Sequence, residues 1–275
     1  MTDYRDWKTG ISCARTDYES LKRFVDCGIT QYEFGSGWNQ IHNIQWETLK
    51  ENADKAGMEL WSFHLPFCCT INIASLHWEG KYTTQYIHQT LMEKAAAIGI
   101  KNFVVHASTE PIKDDEREAC MDAAKFSIRY LCDVAESLGG TLCVENLPRS
   151  CLAHNAEEMR ELIDCDDRAR VCFDVNHLNY EFGSDHKRFM ELCGDRIHTL
   201  HISDYDLGDE KHFFPGMGKI NWNELVTMLE EADYSGPFLY EGGFSPSHWA
   251  PEVPFGTFEE ARPRHLSIKD YYGSK

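Results

Sequence analysis

The chain has 275 residues, with 27 Lys or Arg against 45 Asp or Glu, for a formal net charge of −18. Hydrophobic residues are 42% and aromatics 12%, enough for a core and too many for an intrinsically disordered chain. The acidic balance argues against nucleic acid as a partner, because phosphate-backbone binding gains affinity from counterions released by Lys and Arg.

No apolar run reaches the roughly 18 residues of a membrane span. Met1 to Gly10 lacks the apolar centre of a signal peptide. The 11 cysteines are scattered, apart from adjacent Cys68 and Cys69, and no CxxC pair occurs. The expectation is a reduced, cytoplasmic protein with buried thiols.

Short apolar runs recur along the chain. In order they are Gly10–Ala14, Ile29–Phe34, Glu59–His64, Asn102–His106, Thr141–Glu145, Arg170–Asp174, Arg196–Ile202 and Pro237–Glu241. Between them lie stretches of helical period. Thr83–Ile98 is expected to bury Tyr86, Ile87, Leu91, Met92, Ala95 and Ile98, and Glu118–Leu138 has a similar pattern. Asn155 caps a segment with Glu157 and Glu158 in its first turn, and Trp222–Leu229 carries Leu225, Val226 and Leu229. Eight strands alternating with helices predict a parallel sheet, and at this length a single-domain (β/α)8 barrel is the economical closure. The rival open sheet has no GxGxxG after its first strand.

Side chains alternate across a strand, and in a barrel the helix-facing set is apolar. Leu142 and Val144 are that set in the fifth strand, so Glu145 points inward. Val171 with Phe173, Leu200 with Ile202, and Phe238 with Tyr240 likewise turn Asp174, His201 and Glu241 inward. His64, His106 and Glu33 follow the same rule. His198 has the opposite parity and is read as structural. His42, His77, His88, His154, His186, His248 and His265 are expected to be solvated.

Glu145, Asp174, His201 and Glu241 each stand near the end of their strand, where barrel enzymes do chemistry. Three converging carboxylates would repel without a cation. Oxygen-rich ligation with one imidazole suits a divalent metal, Mn²⁺ first, with Mg²⁺, Co²⁺ or Zn²⁺ as alternatives.

Five segments then resemble one family. Val144–Leu147, Phe173–His177, His198–Asp204, Pro215–Trp222 and Leu239–Glu241 together are similar to the xylose isomerase-like barrels, which include sugar isomerases, epimerases, inosose dehydratases and endonuclease IV. The resemblance implies that Glu145 and Glu241 ligate the metal and exchange protons with substrate, with Asp174 and His201 as the other two ligands. It implies substrate binding for His177. His64, His106 and His212 fall on positions that hold extra zinc ions in the endonuclease. The sequence departs from the family at Glu210, where the endonuclease has aspartate, and at Leu207, where ketose 3-epimerases carry arginine.

The expected activity is isomerisation or epimerisation of a sugar, sugar phosphate or polyol ketone, through a metal-stabilised enediolate. His64, His106, His177 and His212 would line the substrate site. The partner is a small sugar or polyol, with no nucleic acid and no membrane, and a homo-oligomer is open. The alternatives are an endonuclease-like zinc phosphodiesterase, which the charge of −18 opposes, and an inosose-type dehydratase.

Overall fold

The apolar runs become eight strands: β1 (Thr9–Cys13), β2 (Ile29–Gly35), β3 (Glu59–His64), β4 (Asn102–His106), β5 (Thr141–Glu145), β6 (Arg170–Asp174), β7 (Ile197–His201) and β8 (Phe238–Glu241). The helices are α1 (Tyr18–Asp26), α2 (Trp46–Ala56), α3 (Trp78–Ala97), α4 (Arg117–Ser137), α5 (Ala156–Ile163), α6 (Ser184–Cys193) and α7 (Trp222–Glu231). This is a computed structural model, and it describes residues 3–26, 28–178, 184–206, 208, 210–213, 215 and 217–242. Leu207, His248 and His265 lie outside the described residues.

The strands pair in parallel in the order β7-β6-β5-β4-β3-β2-β1-β8. A parallel bridge from Ile202, just past β7, to Tyr240 of β8 joins the two ends. The Ile202 N–H donates to Leu239 O at 2.8 Å, and the Glu241 N–H donates to Ile202 O at 2.9 Å. The chain is therefore a single-domain (β/α)8 barrel. No helix among the described residues is long and apolar enough to cross a membrane. The described cysteines are all free thiols.

Local chemistry explains the element ends. The Asn155 side chain accepts the Glu158 N–H and caps α5, while Asn221 does the same for α7 through Glu224. Gly57 closes α2 at φ 80°, a left-handed conformation that costs glycine little. The helix-facing set, including Leu142, Val144, Phe173 and Leu200, is fully buried in the main core. Val104, Cys143 and Cys172 form a second, small cluster within the barrel.

His198 is structural as expected although its side chain turns inward, and the expected buried face of α3 is wrong. His198 does not keep strict alternation, because the β6–β7 register passes from Val171↔Ile197 to Cys172↔Thr199 and leaves it in a bulge. Its ring stacks on Trp61 and its Nε2 lies 2.9 Å from Asn102 Oδ1, far from the rim. In α3, Tyr86 is exposed, and the buried face is Thr84, Gln85, His88, Leu91, Met92 and Ala95. Polar side chains with buried partners took the face that hydrophobic counting gave to Tyr86.

His88 and His186, expected to be solvated, are buried. Burial holds His88 neutral and lowers its pKa from 6.5 to about 4, although its bond to Pro66 O opposes this. The folded value lies below the unfolded one, so the unfolded chain takes up the proton first. Stability is therefore full above pH 6.5 and falls as pH drops toward 4, by on the order of 3 kcal/mol for this group. In His88→Gln, urea unfolding across that window should lose a correspondingly smaller amount. An acid slope identical to wild type would show that His88 is not the group responsible.

Candidate active site

Strand register sets the floor of the site. Glu145, Asp174, His201 and Glu241 are the last residues of β5, β6, β7 and β8. Asp174 pairs directly with His201, and His106 pairs with Glu145. All point inward at the C-terminal rim. Each of the four offers one ligand atom, and those atoms lie within 4.8 Å of one another.

His201 stands at the centre. Its Nδ1 is 3.1 Å from Glu145 Oε1, 3.5 Å from Glu241 Oε2 and 4.0 Å from Asp174 Oδ2. Its Nε2 is 2.7 Å from Glu33 Oε1. Glu33 is itself held by the Ser12 hydroxyl at 2.8 Å and the Ser62 hydroxyl at 2.6 Å. A proton on Nε2, donated to Glu33, leaves the Nδ1 lone pair facing the three carboxylates, the orientation a metal-ligating imidazole needs.

The electrostatics show the cost of this crowding. Burial pushes Asp174 well above the usual carboxylate range; His177 opposes this and the Glu241 carboxylate reinforces it. Burial would also raise Glu241, but the His201 and His212 charges override it and hold it at about 2. The same competition, won by His201 and His106, holds Glu145 well below its ordinary value. Asp174 Oδ2 and Glu241 Oε2 are buried with no hydrogen-bond partner among the described residues. Two orphaned acceptors beside an imidazole nitrogen that would give up its proton to a metal are a donor set that fits a divalent cation.

The outer histidines arrange themselves around this floor. His64 Nε2 and His106 Nε2 lie 3.0 Å and 3.3 Å from Glu145 Oε2. Phe67 lies across the His106 ring, with centroids 3.6 Å apart. His177 Nδ1 is 3.4 Å from Asp174 Oδ2 and donates to Asn146 O at 2.9 Å. His212 Nδ1 is 3.6 Å from Glu241 Oε2. All eight residues expected at the site are thus brought together. His64, Glu145 and His201 also form a group with metal-ligand spacing, as do His177, Glu210 and His212.

Glu33 and Glu210 are the parts that sequence reading left out of the site. Glu210 lies 2.8 Å from His212 Nε2 and 3.4 Å from His177 Nε2. Arg149 donates to it at 2.9 Å and bonds Glu110 through both Nε and Nη2. Its signal was its place two residues before His212; that of Glu33 was inward parity alone. Asp204, the last residue of the His198–Asp204 segment, is a loop anchor: it accepts from Trp222 Nε1 at 2.9 Å and from the Ile220 N–H at 3.1 Å. A Cβ on Gly218 would meet Asp204 Oδ1 at 2.2 Å, so the loop closes only over glycine.

The sequence profile of the xylose isomerase-like TIM barrels matches residues 21–255. The chain belongs to that family. It is 26% identical over 200 residues to an uncharacterised protein of Methanocaldococcus jannaschii, covering 70% of this chain and 67% of that one. It is 27% identical over 153 residues to a D-psicose 3-epimerase of Enterocloster bolteae, a match covering 51% of this chain and about half (49%) of the relative's length. A D-psicose 3-epimerase from Clostridium cellulolyticum H10, solved with D-tagatose, superposes with a TM-score of 0.80 at 17% identity, over 97% of this chain and 98% of that one.

Removing Glu33 would leave His201 without its Nε2 partner and two hydroxyls without an acceptor. Glu33→Ala should lower stability by about 3–5 kcal/mol, the usual result of breaking a buried charged pair from one side. Denaturant unfolding measures it, and a loss below ~1 kcal/mol would mean that Glu33 does not orient His201.

Proposed function

We propose that the chain is a divalent-metal-dependent sugar isomerase or epimerase that moves a proton at the carbon next to a carbonyl. The observation that carries this reading is the placement of Glu145 and Glu241, from β5 and β8, on either side of Asp174 and His201. Two carboxylates approaching one substrate from different strands supply a base and an acid on different faces. Among the relatives, those named with an activity are D-psicose and fructoselysine 3-epimerases, which favours a ketose as substrate.

Glu145 and Glu241 take and return the proton. Return to the same carbon from the opposite face epimerises; return to the neighbouring carbon isomerises. His177 and His212, whose ring centroids lie 5.9 Å apart at the ends of the β6 and β7 loops, bind substrate hydroxyls; His64 and His106 lie on the side nearest Glu145. Glu145, Asp174, His201 and Glu241 would hold the cation, Mn²⁺ by ligand preference, and when bound it supplies Lewis-acid polarisation of the carbonyl oxygen. Arg149, the guanidinium at the rim, is already engaged by Glu110 and Glu210, which favours an uncharged sugar over a phosphorylated one.

The His177–Glu210–His212 group favours a second reading, a zinc phosphodiesterase; the net charge of −18 opposes it. Metal content decides between them: one ion per chain by elemental analysis supports the isomerase, and three support the nuclease.

A screen of ketoses in D₂O with Mn²⁺ tests the proposal directly. Wild type should place deuterium on the product carbon. Glu145→Gln and Glu241→Gln should each lose activity by at least ~10²-fold, the lower bound for general acid–base catalysis. Full isotope exchange in both variants would put the base elsewhere. His177→Asn and His212→Asn should chiefly raise KM and leave kcat near wild type; a selective fall in kcat would assign them to the chemical step instead.

A further inference from the structure

His212 is held from both sides. The antiparallel bridge between Asp204 and Phe213, with both N–H···O bonds at 2.8 Å, folds the loop after β7 back on itself. That bridge sets buried Ser203 beside His212, and Ser203 Oγ lies 3.3 Å from His212 Nδ1. Asn176 Nδ2 donates to Ser203 Oγ at 3.0 Å, which leaves the Ser203 proton for the imidazole. On the other side, Glu210 Oε1 lies 2.8 Å from His212 Nε2. Both ring nitrogens therefore have a partner.

Glu210 has a holder of its own. Arg149 Nη1 donates to Glu210 Oε2 at 2.9 Å, while Arg149 Nε and Nη2 donate to Glu110 at 3.1 Å and 2.6 Å. A planar guanidinium spans two carboxylates in fixed directions, which an ammonium on a flexible stem does not. With Oε2 taken by Arg149, Oε1 is turned to the imidazoles, 2.8 Å from His212 Nε2 and 3.4 Å from His177 Nε2.

The backbone shows what this chain of contacts restrains. Arg149 stands at φ 56° and His212 at φ 48°, two of the four left-handed non-glycine positions among the described residues. That conformation crowds a Cβ against the backbone and persists where the surroundings over-determine it. The two strained residues are the two that grip Glu210. The His212 carbonyl is also packed against Gly242, the residue after Glu241, where a Cβ would meet its oxygen at 3.1 Å. His212 is thus fixed beside the end of β8, with Nδ1 3.6 Å from Glu241 Oε2.

We propose that Arg149 and Glu210 are positioning residues: Arg149 fixes Glu210, and Glu210 fixes the His212 imidazole in the direction that binds a substrate hydroxyl beside Glu241. The inference rests on the isomerase or epimerase reading for its substrate. Glu145 and Glu241 stand on strand ends, outside this chain of loop contacts. Loosening His212 therefore weakens substrate binding and leaves the proton-transferring pair in place, so the loss falls on KM.

Ketose kinetics, together with the imidazole N–H spectrum of the full chain labelled with ¹⁵N-histidine and recorded in H₂O with Mg²⁺, test this. Arg149→Met and Glu210→Gln should each raise KM about 10-fold, the lower end for losing the outer partner of a functional histidine, with kcat within ~3-fold of wild type. Combining them should add less than ~2-fold to Glu210→Gln alone, because Arg149 acts through Glu210. Arg149→Lys keeps the charge and loses the fork, so it should behave as Arg149→Met does. Wild type should show an exchange-protected His212 Nε2–H resonance, assigned by its loss in His212→Asn, and Arg149→Met should broaden or remove it. A fall in kcat at unchanged KM, a lysine variant equal to wild type, or a resonance missing from wild type or unaltered in Arg149→Met overturns the proposal. A chain that turns over no ketose while the resonance responds as expected sinks the isomerase reading and leaves the positioning of His212 standing.

Discussion

A carboxylate moved out of water loses several kcal/mol of solvation unless a cation or a set of donors takes the water's place. Glu33, Glu145 and Asp174 are all fully buried at one end of one barrel. Much of the surrounding architecture answers that demand. His201 is shared between Glu33 and Glu145; Ser12 and Ser62 satisfy the rest of Glu33; His64 and His106 face the far oxygen of Glu145. Asp174 and Glu241 are the pair the protein leaves short, each with one buried oxygen lacking a partner among the described residues. The deficit sits where the ligand atoms of four strands converge, so the charge imbalance is local and not a property of the whole rim.

The barrel makes this concentration feasible. Parallel strands all end on the same side, so each can contribute its last residue to one small volume. The direct pairing of Asp174 with His201 and of His106 with Glu145 aligns the ends of neighbouring strands. Below that level the interior changes character. Val104, Cys143 and Cys172 seal the middle, and Trp61, Asn102 and His198 close the bottom through their own hydrogen bonds. Polar chemistry is thus confined to one layer, backed by a dry one.

Alternation of side chains along a strand made much of this legible from residues alone. Glu145, Asp174, His201 and Glu241 could be placed because each strand carried an unambiguous apolar set on its other face. The structural role of His198 was legible but its inward turn was not, because a bulge breaks the period and has no signature in a five-residue run. Tyr86 and His88 escaped because α3 buries its polar residues against partners distant in sequence, such as Pro66 and Ser127, which no helical count can see. Glu210 was visible only as a departure from a family pattern. Its pairing with His177, His212 and Arg149 depends on how three loops meet above the barrel.

That meeting of loops has a consequence for how the molecule comes apart. Arg149, in the loop after β5, ties the loop after β4 through Glu110 to the loop after β7 through Glu210. These are half-exposed ion pairs, each worth little in water and weakened by salt. The strand ends beneath them are locked by ladder hydrogen bonds and complete burial. The mouth and the floor therefore belong to separate cooperative units with different opening free energies. Raising ionic strength should therefore loosen the Glu110–Arg149–Glu210 ring and the seat of His212 beside it before it disturbs the four strand-end ligands. The protein can breathe at its entrance while its reactive layer stays assembled.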